Sequence, residues 1–174
     1  MTPARDRLDA AFVAAYDELR RLASHMQRQD PGVTFDPTGL VNETWIKLSG
    51  SPDVANTSPL HFKRIAARAM RQVLVEAARR RQSHKRGGAT KVVITLDDSV
   101  VDPSSVATDV LALDSALAAL GALHPRPAAV VEARFFGGLT TEEIAQSLEI
   151  SEATVLRDWR TARAWLAAEL SLAS

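Results

Sequence analysis

The 174-residue chain has no cysteine, which excludes disulfides and thiolate metal sites and fits a reducing compartment. No apolar run approaches the roughly 20 residues that a membrane-spanning helix needs. The N-terminal stretch MTPARDRLDAAF mixes acids with bases and lacks an apolar core, unlike a signal peptide. A cytoplasmic location is therefore expected. The four histidines, His25, His61, His84 and His124, show no metal-ligand spacing, and no glycine loop of phosphate-binding form precedes a helix. Glu142 and Glu143 are adjacent, so on a helix they diverge by about 100° and cannot work as paired carboxylates. Catalysis, a resident metal and a cofactor all lack support. Aromatic residues are also scarce, at 5% of the chain.

What is present is a globular composition, 46% hydrophobic and 24% charged, with enough residues for one medium domain or two small ones. Net charge is formally zero, which at first argues against a polyanionic partner. The distribution argues the other way. Between His61 and Lys91 stand ten Lys or Arg and a single acid, Glu76, whereas Val92 to Asp114 holds five acids and no base. A basic block beside an acidic one is a footprint of nucleic-acid binding, although a solvated helix face and a polar loop would have the same composition.

Periodicity predicts helices almost throughout. Leu8, Phe12, Ala15, Leu19, Leu22 and Met26 form one apolar stripe, stopped at Asp30-Pro31-Gly32. Asp36-Pro37 offers an N-cap and a first-turn proline for a second helix to about Leu48. After a Ser-, Pro- and Asn-rich loop, Ser58-Pro59 opens a third helix to about Arg81. Phe62, Ile65, Ala66, Ala69, Met70, Val73 and Ala77 share one side of it, and Lys63, Arg64, Arg68, Arg71 and Arg79 the other. Residues 83–106 look like a flexible linker, with a β-prone run at Val92 to Leu96 that is compatible with a strand or an extended segment. Two further helices are expected, one lined by Leu113, Leu117 and Leu120 and one from Pro127 to Phe136. The fold class is all-α: a three-helix bundle over 1–82, the linker, and a second helical domain over 107–174.

The most specific pattern lies near the C-terminus. Thr140 and Glu143 have the spacing of a capping box, Ile144 and Leu148 face inward, Ala145 is small enough for a close crossing, and Glu149-Ile150 makes the turn. Ser151 then caps a helix whose apolar positions Val155, Trp159, Ala162 and Leu166 recur at 4, 3 and 4. This is a helix-turn-helix with Ser151 to Leu166 as recognition helix, leaving Thr154, Arg157, Asp158, Arg160 and Thr161 outward toward a major groove. Arg157 and Arg160 can serve one base edge and one phosphate. A plain helical hairpin with a solvated arginine face is the less specific alternative.

With these residues in place, the chain resembles the extracytoplasmic-function (ECF) sigma factors of the sigma-70 family. Ser151, Thr154, Val155, Arg157, Asp158, Trp159, Ala162, Arg163, Ala164, Trp165 and Leu166 match the C-terminal helix of one branch. Asp36-Pro37-Thr38-Gly39-Leu40-Val41-Asn42-Glu43, Ala67-Arg68-Ala69-Met70-Arg71-Gln72, Ala78-Arg79-Arg80-Arg81 and Lys85-Arg86-Gly87-Gly88 match its N-terminal half. The resemblance runs from about Leu8 to Leu170.

It implies an RNA polymerase sigma factor, with a sigma region 2-like domain that binds core polymerase and the −10 element. A sigma region 4-like domain would read the −35 element, and the acidic linker would thread toward the active-site cleft. The partners implied are core RNA polymerase, through the β′ clamp and β flap, and promoter DNA. Family members are often held by an anti-sigma factor, and no motif here marks a surface for one.

The −35 candidates are Thr140, Ser151, Thr154, Arg157, Asp158, Arg160, Thr161 and Arg163. The −10 candidates are His61, Lys63, Arg64, Arg68, Arg71, Arg79, Arg80 and Arg81, and the core-polymerase candidates are Asp36, Leu40, Asn42, Glu43, Trp45 and Leu48. Two departures stand out. His61-Phe62 replaces the Trp that many members carry before the basic helix, which leaves the Gly50 to Pro59 loop with His61 as candidate receiver of an unstacked base. Leu156 and Asp158 occupy positions that are often basic, so promoter sequence does not carry over. A stand-alone helix-turn-helix regulator with an N-terminal sensor or dimerisation module is the alternative function, and it would footprint promoter duplex tightly without polymerase.

Overall fold

The computed structural model describes residues 3–28, 36–51, 54, 57–84, 93–98 and 102–172, with side chains over 5–24, 36–51, 54, 57–83 and 109–172. The Asp30-Pro31-Gly32 stop, the Lys85-Arg86-Gly87-Gly88 segment, much of the Gly50 to Pro59 loop and the side chains of His25, Met26 and His84 lie outside those residues. The described chain is helical, as expected, in two parts. The first comprises α1 (Pro3–Arg28), α2 (Pro37–Ser49) and α3 (Pro59–His84), and the second α4 (Val110–Leu123), α5 (Pro125–Gly137), α6 (Thr141–Leu148) and α7 (Glu152–Leu172).

Between them the backbone of β1 (Val93–Asp98) pairs antiparallel with β2 (Asp102–Asp109), Val93 opposite Asp109 and Leu96 opposite Val106. The β-prone run is thus a strand, and ladder pairing reaches beyond the expected end of the linker.

Local chemistry explains the helix starts. The Asp36 carboxylate accepts hydrogen bonds from the Thr38 and Gly39 amides at 3.2 and 3.1 Å, with Pro37 in the first turn. Ser58 Oγ accepts from the His61 amide at 3.2 Å, and Asp109 caps α4 through the Leu111 amide. Helix α5 ends at Gly138, whose φ of 64° is the left-handed geometry glycine adopts without penalty.

In α1 the buried stripe is Leu8, Phe12, Ala15, Leu19 and Ala23. Leu22 is half-buried, and its methyls lie 3.7 and 3.8 Å from where a Cβ on Gly138 would stand. In α3, Phe62, Ala66, Ala69, Met70 and Val73 are buried as expected, while Ile65 and Ala77 are only partly covered.

Helix α3 carries more than that stripe. Ala67, Leu74 and Ala78 are also buried, spaced by seven and four on a line that runs inside the basic face. A Cβ built on Gly137, the last residue of α5, would come 2.8 Å from the Ala67 Cβ. Helix α5 therefore lies directly on α3, and one apolar cluster runs through both parts.

Candidate nucleic-acid interface

The helix-turn-helix forms as the local pattern requires. Thr140 Oγ1 accepts from the Glu143 amide at 3.1 Å, and Glu143 Oε2 accepts from the Thr140 amide at 2.9 Å, a complete capping box. Ile144 and Ala145 are buried. The chain leaves α6 through Glu149, which has a φ of 56° and is the single non-glycine residue with positive φ among the described residues, while the Ile150 amide donates to Ala145 O at 3.0 Å. Ser151 Oγ accepts from the Thr154 amide at 3.2 Å and starts α7. Val155, Trp159, Ala162 and Leu166 are buried behind it, and the stripe continues to Leu170.

Opposite that stripe, Arg157, Arg160 and Thr161 are exposed, as are Thr140 and Ser151. Thr154 and Arg163 are half-buried, and the Thr154 hydroxyl lies 2.9 Å from that of Ser151.

Asp158 corrects the sequence-based expectation. It does not face outward but is 5% exposed, its carboxylate gripped by Arg126 through Nε at 2.5 Å and Nη2 at 3.2 Å. The hydrogen bond to Asp158 and the charge beside it push the Arg126 guanidinium pKa further up. The inward-facing carboxylate tethers α7 to the start of α5. Arg134 adds a second tether, its guanidinium 4.8 Å from the Trp159 ring centroid. Sequence reasoning missed both arginines. Their partners lie 32 and 25 positions away, and nothing local marks them.

The basic helix is only partly open. His61, Arg68, Arg79 and Arg80 are exposed and Arg81 is half-buried. His61, Arg64 and Arg68 line an open cleft of about 250 Å³ with Ile65, Ala129, Glu132 and Ala133. Arg79 also lies 3.9 Å from Asp114, and Arg71, Arg64 and Lys63 are held more closely, chiefly by the second part of the chain. Arg71 donates from Nε to Asp114 at 2.9 Å and from Nη1 to Glu132 at 2.8 Å, and from Nη2 to the Asp114 carbonyl at 3.1 Å. Arg64 Nη1 donates to Ser147 O at 2.9 Å.

Lys63 meets Glu143 at 2.7 Å and Glu18 at 2.9 Å. Burial works against its charged form, but the hydrogen bonds to the two glutamates outweigh it and hold the ammonium pKa above its ordinary value. For Glu143 burial likewise opposes ionisation, and Lys63 with the Thr140 amide reverses the balance and lowers its pKa.

On α2 the candidates divide. Leu40 and Leu48 are buried at 5% and 3%, so they belong to the core and offer nothing to a partner. Trp45 is half-buried against Phe12, ring centroids 4.6 Å apart. Asp36 is occupied as a cap, whereas Asn42 and Glu43 are exposed, with Glu43 3.3 Å from Arg80. Ile46, 68% exposed, completes one face with Asn42 and Glu43 and was overlooked in the sequence. An apolar residue off the buried line of Leu40, Val41, Thr44 and Leu48 was the available clue.

No described helix is long and apolar enough to cross a membrane, and among the described residues no cluster of His, Asp and Glu could hold a metal ion. No curated protein matches the chain. The family model described as ECF sigma factor matches residues 4–172, nearly the whole length. The chain belongs to the ECF sigma factor family, non-enzymatic initiation factors that direct RNA polymerase to promoter DNA.

Proposed function

We propose that the two helical parts are the two promoter-reading domains, 1–82 for the −10 element and 107–174 for the −35 element, with a linker over 83–106. The observation that carries this reading is the helix-turn-helix. A complete capping box and a buried back stripe hold α7 so that Arg157, Arg160 and Thr161 project together from one exposed face. These three, with Ser151, Thr154, Thr140 and Arg163 at the margins, contact the −35 duplex, Arg157 reading a base edge and Arg160 a phosphate. Asp158 serves from behind, by keeping α7 seated on α5.

On α3, Arg68, Arg79, Arg80 and Arg81 neutralise −10 phosphates and His61 lies beside the unstacked strand, with Lys63, Arg64 and Arg71 joining once the second part moves away. Asn42, Glu43 and Ile46, with the rim of Trp45, dock on the β′ clamp, and the α4–α7 part meets the β flap. The work is done where chromosome and polymerase are, in the cytoplasm, and an anti-sigma factor remains a candidate partner without an assigned surface.

Transcription by core polymerase loaded with Arg157→Ala tests the reading. The variant should lose −35 binding by about 1–3 kcal/mol and relax base preference at one position. Equal loss at all promoters would make Arg157 a phosphate anchor. A free chain that footprints duplex tightly and gains nothing from core polymerase would favour the stand-alone regulator.

A further inference from the structure

We infer that Asp114, Glu132 and Glu143 form a phosphate-like acidic surface that occupies the nucleic-acid face of α3 and keeps the free chain closed to DNA. The inference rests on the proposed −10 role of α3. Its basis is the double character of that helix, on which Ala67, Leu74 and Ala78 are buried between cations. A helix that only faced solvent or DNA would have no use for this apolar line, and Gly137 of α5 closes on it at Ala67.

The ion pairs complete the argument. An arginine has five N–H donors on three nitrogens, and all three nitrogens of Arg71 are engaged by Asp114 and Glu132. Its side chain is only 17% exposed. Lys63 is closed over by Glu143 and Glu18, and Arg64 is drawn to the C-terminal carbonyl of Ser147 in α6. Asp114 comes from α4, Glu132 from α5 and Glu143 from α6. Carboxylates from three successive helices therefore sit on one row of cations, at the distances phosphate oxygens would take. A phosphate cannot reach Arg71 or Lys63 while they do. Promoter strand gains these contacts only when the α4–α7 part is held elsewhere, as it would be on polymerase with its α7 on −35 DNA.

The test uses the full free chain. Because it has no cysteine, Val13→Cys on α1 and Leu123→Cys on α4, both at exposed positions, accept a pair of spin labels specifically. Asp114→Asn, Glu132→Gln and Glu143→Gln are combined, glutamine keeping the capping box of α6. A control combines Asp6→Asn, Asp17→Asn and Glu169→Gln, exposed acids whose removal gives the same net charge. Label separation is measured together with affinity for a mixed-sequence single-stranded DNA oligonucleotide.

The interface variant should lengthen the label distance and bind at least about tenfold more tightly, the scale of two or three regained phosphate contacts, while the control changes neither. Unchanged distance and affinity would overturn the inference, as would an equal gain by the control. A longer distance without any gain in affinity would also overturn it, and would place the fault in the −10 role of α3 rather than in the closure. Should the triple variant fail to fold, Asp114→Asn alone, which leaves the capping box untouched, must show the same opening and a smaller gain.

Discussion

Glu143 joins two structures with one carboxylate, and replacing it separates their contributions. Oε2 completes the capping box of α6 and Oε1 holds Lys63 of α3. Glu143→Ala loses a cap interaction of about 1 kcal/mol and an ion pair. Both side chains of that pair are less than a third exposed, 21% and 28%, which places it near the upper end of surface pairs, about 1 kcal/mol after screening. The expected loss is about 2 kcal/mol, and a double-mutant cycle with Lys63→Met should return about 1 kcal/mol of coupling, read from urea unfolding midpoints at neutral pH.

The coupling should depend on pH in a defined direction. The folded pKa of Glu143 lies below the ordinary 4.5, so its contribution is complete above that value and fades as pH falls through the folded value. The folded pKa of Lys63 lies above 10.5, so its contribution is complete below that value and fades only as pH rises through the folded value. Between about pH 5 and 10 the coupling should be flat. Strict additivity at pH 7 would refute the bridge between the two parts, and a coupling that persisted in strong acid would refute its ionic nature.

Further outcomes follow from the same geometry. Arg126→Ala leaves the buried Asp158 carboxylate without its partner and should lower both the melting temperature and −35 binding, whereas an unchanged melting temperature would show that Asp158 does not need Arg126. Gly137→Ala places a Cβ 2.7 Å from Leu139 Cδ1 and 2.8 Å from the Ala67 Cβ, and should cost about 1–3 kcal/mol in urea unfolding by overpacking. A neutral result would mean that α5 and α3 do not pack so closely in solution. Glu43→Lys should weaken retention of core polymerase in a pull-down while leaving helical content by circular dichroism unchanged, and normal retention would remove Glu43 from the docking face.

What the sequence disclosed was whatever short-range chemistry decides. The caps at Asp36, Ser58, Thr140 and Ser151 involve residues two or three apart, so helix starts and the whole helix-turn-helix could be read directly. The apolar stripe of α7 was legible because its four positions all bury on the same side. Burial decided by a distant partner was not legible. Asp158 reads as an outward polar residue until Arg126 is placed beside it, and Ala67, Leu74 and Ala78 read as filler among cations until the helices packed on α3 bury them. Leu40 and Leu48 were misjudged for a related reason. Helix α2 has more apolar positions than one face needs, and only the packing shows that Ile46, not these leucines, is the one left outside.

In the proposed reading the chain confers promoter choice on RNA polymerase through two separate DNA-reading ends. Transcription in vitro by core polymerase with the purified chain, on a pooled promoter library, tests it most directly. The transcripts should require the chain and share two upstream elements, one of them altered by Arg157→Ala. Transcripts that start without the chain, or that share a single element the free chain already footprints, would contradict it.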